Sequence, residues 1–197
     1  MTKCVMTLLT LVVVTVSAYS QTPSNSRCSL TATNAPTVRG LHLGMSTDEL
    51  LALFPGSAKR KDVKDAIAKA KAGASGDVLY LSFNPAVDSG KEQFNGVDSV
   101  GAGLVKGRVT DLSVVYVGAT WPNIDAWVAK LSEAFKLPSP QDWMVGSSEN
   151  PNKILRCDGI DIEAAIQSGS ASIILRTAET HGSDNAAEEK KRRDIKP

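Results

Sequence analysis

The chain is 197 residues long and carries 22 Lys and Arg against 21 Asp and Glu. That balance creates no global field to draw in nucleic acid or an anionic membrane, and the length suits one domain with a core of its own. Aromatic residues make up 5% of the chain, so an exposed one means more here than in a tyrosine-rich protein.

The N-terminus reads as an export signal. Lys3 precedes an apolar run from Leu8 to Val16, and Ala18 and Ser20 are the small residues before an expected cleavage at Gln21. The run is short of the roughly 20 apolar residues needed to cross a bilayer, although an uncleaved membrane anchor is the alternative. Cys4 lies before the apolar run, not after it, so a lipid anchor is not expected. With residues 1–20 removed as a signal peptide, no transmembrane helix is expected in the mature chain, which is read as exported, periplasmic or secreted. Cys28 and Cys157 remain as an even pair in an oxidising compartment and are read as a disulfide, two separate buried thiols being the alternative. In the chain-entropy model such a long loop gives at most roughly 4–5 kcal/mol. No Cys-x-x-Cys is present, so the bridge would be structural, not redox-active.

Residues 21–27 are polar and without periodicity, a flexible lead. Residues 28–179 form the expected domain. Residues 180–197 are read as a disordered tail, whose "KKRR" is flanked by Glu188, Glu189 and Asp194.

Within the domain, Leu41 and Leu43 alternate with His42 in a short extended segment, and Gly44 permits a turn. Ser46 stands three residues before Glu49, the capping-box spacing, and Met45 and Leu50 are placed as a hydrophobic staple. The helix that follows ends at Pro55-Gly56. A second helix is predicted over 62–72 from Val63, Ala66, Ile67 and Ala70, with Asp65 and Lys69 as a supporting pair. Residues 77–83 read as a strand with Leu79, Leu81 and Phe83 on one face, and 84–96 as a loop. Residues 97–118 read as a hairpin turning at Lys106-Gly107; Leu112, Val114 and Tyr116 share one face, Asp111, Ser113, Val115 and Val117 the other. A third helix carries the stripe Ile124, Trp127, Val128, Leu131 and Phe135, with Thr120 placed to cap it and Pro138 beyond its end. Strands follow at Trp143, Ile154, Ile160 and Ser172, two of them joined by an Asp158-Gly159 hairpin signal. Runs of strands joined by tight turns predict an α+β domain: an antiparallel sheet with helices packed on one face.

The stretch Leu43, Gly44, Met45, Ser46, Glu49 and Leu50 resembles the strand–helix opening of the small-lipoprotein family that includes the outer-membrane assembly component SmpA/OmlA, and of β-lactamase-inhibitor-like domains. The whole chain also looks like exported bacterial proteins of unknown function that share this opening and a late "LRCDG" at 155–159. The resemblance implies a helix pair against an antiparallel sheet and action by binding other proteins.

Residues suited to catalysis are few. His42 and His181 have no Cys, Asp or His at metal-ligand spacing, and neither a G-x-S-x-G elbow nor Ser-x-x-Lys occurs. No metal or cofactor is expected. The "GAGLVKG" at 101–107 lacks the Lys-Ser/Thr ending of a phosphate loop and leads into a strand; glycines easing twist or close approach account for it. Asp161 and Glu163 project from one strand face about 7 Å apart, a spacing compatible with a carboxylate pair acting on an envelope or extracellular substrate. If helices cover the face made by Leu79, Leu81, Phe83, Leu112 and Val114, the opposite face carries Tyr80, Arg156, Asp161, Glu163 and Arg176. Tyr and Arg are enriched in binding hot spots, so this face is the candidate for binding another envelope or secreted protein. A small-ligand carrier with a pocket between helices and sheet is the remaining expectation.

Overall fold

A computed structural model of the chain describes residues 28–71, 78–118, 121–146 and 151–178. The predicted signal peptide, the lead 21–27, the tail and the proposed cap Thr120 lie outside the described residues, as does the Lys69 side chain.

Capping chemistry starts the first helix, α1 (Thr47–Leu53). The Ser46 hydroxyl accepts from the Glu49 N–H, and the Glu49 carboxylate accepts from the Ser46 N–H at 2.7 Å. The bond from the Ser46 backbone, reinforced by its hydroxyl, holds the Glu49 carboxyl below its ordinary pKa. Pro55-Gly56 ends α1 and opens a short 3-10 turn, after which α2 (Lys61–Lys71) begins. The segment expected to be a loop is partly helical. Asn84 caps α3 (Pro85–Asp88), and a 3-10 turn at Glu92–Phe94 buries Phe94. The long helix α4 (Ile124–Phe135) is capped by Asn123, whose side chain accepts from the Ala126 N–H. The helix thus starts three residues later than a Thr120 cap requires, because Pro122 suits the approach to a helix and Asn is among the strongest N-caps.

Among the described residues, seven strands form one antiparallel sheet, confirming the α+β class: β1 (Leu79–Phe83), β2 (Val97–Val105), β3 (Arg108–Tyr116), β4 (Met144–Val145), β5 (Asn152–Arg156), β6 (Ile160–Gln167) and β7 (Ser170–Thr177). Their spatial order is β1-β2-β3-β7-β6-β5-β4, so two meanders meet where β3 pairs with β7. The β2–β3 and β6–β7 turns each place both central residues at positive φ, Lys106-Gly107 and Ser168-Gly169, the conformation that matches strand twist in a two-residue hairpin. Asp158-Gly159 also joins two strands, but without positive φ. Its amides instead donate to Cys28 O and Leu30 O, which ties the start of the domain to the β5–β6 turn.

Alternation sorts the sheet's two faces. Leu81, Phe83, Val100, Ala102, Leu112, Val114, Ile162, Ala164, Ile173 and Leu175 are all buried on the inner face, where α2 lies against β1 and α4 over β5 and β6. Residues 28–46 complete this layer. From the Cys28–Cys157 disulfide the chain crosses to an Arg39-Gly40 turn, with Val38 and Leu41 exchanging backbone bonds, and returns to pair Gly44 and Met45 with Val109. Val38, Leu41, Leu43 and Met45 are buried along it.

Candidate functional site

On the outer face, strand register lines up one row across six strands. Tyr80 stands opposite Gly103, Gly103 opposite Asp111, Asp111 opposite Arg176, Arg176 opposite Asp161, and Asp161 opposite Arg156. Charge alternates along it, as cross-strand pairing favours. Gly103 is required there: a Cβ would come within 2.9 Å of the Asp111 Cβ and 3.1 Å of the Tyr80 ring. The glycine that faintly suggested a phosphate loop is thus the place where a tyrosine ring packs down onto the sheet. Tyr80 remains 58% exposed.

Arg176 is the hub of the row. Its Nε donates to Asp111 Oδ2 at 2.9 Å and its Nη1 to Glu163 Oε2 at 3.0 Å, while Asn152 Nδ2 donates to Glu163 Oε1 at 2.8 Å. Burial works against the guanidinium charge, but Asp111 and then Glu163 outweigh it and hold Arg176 above its ordinary value. Both oxygens of Glu163 are therefore occupied by structural donors. The structure places the five candidate residues on one face, with Glu163 one row away from the others. It adds Asp111, which sequence reading put on this face without its partner: Arg176 lies 65 residues further on, and nothing local announces that β3 and β7 are neighbours.

His42 is half-buried with its Nδ1 2.9 Å from Leu43 O, beside a cavity of about 460 Å³ lined by Ala32, Thr33, Ala35 and Thr37 of the 28–46 segment. Among the described residues no group of three or more His, Cys, Asp or Glu side chains is placed to hold a metal.

A second cavity, also about 460 Å³, opens between α4 and the ends of β3 and the Arg39-Gly40 turn. Tyr116, Trp121, Trp127 and Phe135 line it, with Arg39 and Lys130 as its cations. Trp127 meets Tyr116 edge-on at 5.5 Å and Trp121 at 5.0 Å, and its own indole N–H donates to Ser172 O at 2.9 Å. The Arg39 guanidinium stands 6.0 Å over the Tyr116 ring. Burial pushes the Tyr116 phenol up, and Arg39 opposes that shift without cancelling it. No match was found among known protein families, curated proteins or solved structures.

Proposed function

We propose that this chain is an exported, non-catalytic binding module that recognises another envelope or secreted protein through the outer face of its sheet. The observation that carries the reading is the registered row from Tyr80 to Arg156, on a face that no helix covers among the described residues. Asp111, Arg176 and Glu163 are already positioned by one another, so a partner would meet a centre that is pre-ordered and loses little side-chain freedom on docking. An exposed Tyr at one end of the row, with Arg176 at its middle and Arg156 at its other end, supplies the residue types that dominate binding energy. The leader at 1–20 and the Cys28–Cys157 bridge support export, because disulfides persist in oxidising compartments. The enzyme alternative loses ground with Glu163, whose oxygens are engaged by Arg176 and Asn152.

The test is site-specific photo-crosslinking. A photoreactive side chain at position 80 is expected to capture one saturable partner from envelope or secreted fractions, and Arg156→Ala should abolish capture while the melting temperature stays within a few degrees. The same group at Val87, which is 76% exposed on α3, serves as the control. Equal capture at both positions, or none at 80, would reject the outer face as the site. A second reading, carriage of a small ligand, is favoured by the aromatic cavity beside α4.

A further inference from the structure

We infer that the cavity beside α4 is a binding site for a small molecule with an apolar body and a single carboxylate head. The inference rests on the carrier reading and is independent of the outer face. Its size lies in the range of small-molecule sites, roughly 300–1,000 Å³. Four aromatic side chains form its walls, an arrangement that offers an apolar body large contact area at little cost in side-chain freedom. The ionisable lining groups other than Tyr116 are both cations, Arg39 and Lys130, and no carboxylate lines the cavity among the described residues. Lys130 shares its charge with the exposed Glu133 at 3.0 Å, whereas Arg39 has no carboxylate partner among the described residues.

Arg39 is also held in place at a conformational cost. Its φ of 55° lies in the left-handed region, at a turn position that Asn, Asp or Gly would normally take. Gln93 Nε2 donates to Arg39 O at 3.1 Å and pins the turn, so the guanidinium is carried over the Tyr116 ring at the cavity mouth. A planar fork of donors beside an aromatic wall, on an exposed side chain free to turn to a ligand, matches a carboxylate in two parallel hydrogen bonds. Within the wall, the Trp121 indole N–H is buried and has no acceptor among the described residues.

The experiment uses decanoate, decanol and decyltrimethylammonium as matched probes of one chain length and three head groups. Binding to the oxidised protein is followed by tryptophan fluorescence and confirmed by calorimetry. Decanoate is expected to bind saturably and about tenfold or more tightly than decanol, with the cation weakest, since a charge-assisted hydrogen bond supplies that factor. Arg39→Asn keeps a residue that tolerates the left-handed turn, so its melting temperature should match the wild type while decanoate falls to the level of decanol. Equal binding of decanoate and decanol, or an unchanged decanoate affinity in Arg39→Asn, would overturn the carboxylate assignment yet leave a carrier. Absence of saturable binding by all three probes would overturn the assignment and the carrier reading together.

Discussion

Phe54, Phe83 and Phe94 meet beneath the β1–β3 half of the sheet, with Phe54 4.4 Å from Phe83 and 5.0 Å from Phe94, and all three are at most 4% exposed. Tyr116, Trp121 and Trp127 meet at similar separations at the end of β3, yet they line an open cavity. The difference lies in what is laid over each. The phenylalanines are closed in by α1, the segment of α3 and the 3-10 turn that carries Phe94; the second cluster has α4 and the tip of one turn. The phenylalanines also bring no polar atoms into their cluster, whereas the second brings a phenol and two indoles that must find partners or stay near water. Aromatic residues alone therefore do not mark a site. Aromatics with polar edges, incomplete cover and an arginine held over them do.

Substitutions can break this contrast. Phe83→Ala should cost about 3–5 kcal/mol in urea unfolding, the usual loss for a fully buried phenylalanine. A cost below about 2 kcal/mol would show that the first cluster is looser than it looks. Replacing Cys28 and Cys157 with serine should cost about 2–5 kcal/mol. It should also weaken probe binding at the second cluster, because the tether that delivers Arg39 begins at that bridge; unchanged binding would show that Gln93 alone positions the turn. Phe135→Ala removes a half-buried wall and should cost only about 1 kcal/mol, since the ring already borders open space. Equal losses for Phe83→Ala and Phe135→Ala would erase the distinction between core and cavity.

The smallest effect is a titration. The Tyr116 pKa is raised in the folded state, so the folded protein keeps the phenol protonated where the unfolded chain has begun to lose it. Stability from this source is complete below about pH 10 and is lost as pH rises through the folded value. Tyr116→Phe should therefore match the wild type at neutral pH and lose less stability than it does above pH 10. Parallel pH profiles would mean the phenol is as well solvated as in the unfolded chain.

Local chemistry made part of this architecture legible in the sequence. The Ser46–Glu49 capping box, the Lys106-Gly107 turn and the alternation in β1 and β3 each depend on neighbours within a few residues, and each stands where the pattern puts it. The segment 84–96 misled because its helical pieces are only three or four residues long, too short to show a period. Thr120 and Asn123 each offer a side-chain oxygen near the start of α4, and that oxygen alone does not separate them as caps. A pocket between helices and sheet is a general expectation from the sequence, but the Arg39-Gly40 turn and the residues that line the cavity are not legible in it. They arise from three separated stretches of chain, around Arg39, at the end of β3 and along α4, whose meeting depends on the β3–β7 junction.

That junction and the disulfide also decide the order in which the molecule can be completed. Cys28 is among the first residues of the domain to be made and its partner lies 129 residues later. The first meander can pair from local turns, but its outer strand β3 waits for β7, the last strand of all. Synthesis cannot therefore hand over a finished N-terminal half: the strap that carries Arg39 stays untied at its first end until the second meander has emerged. Contacts of such long separation slow folding, and they make the fold an all-or-nothing product of the whole chain. A truncation before β7 should give no partly functional fragment.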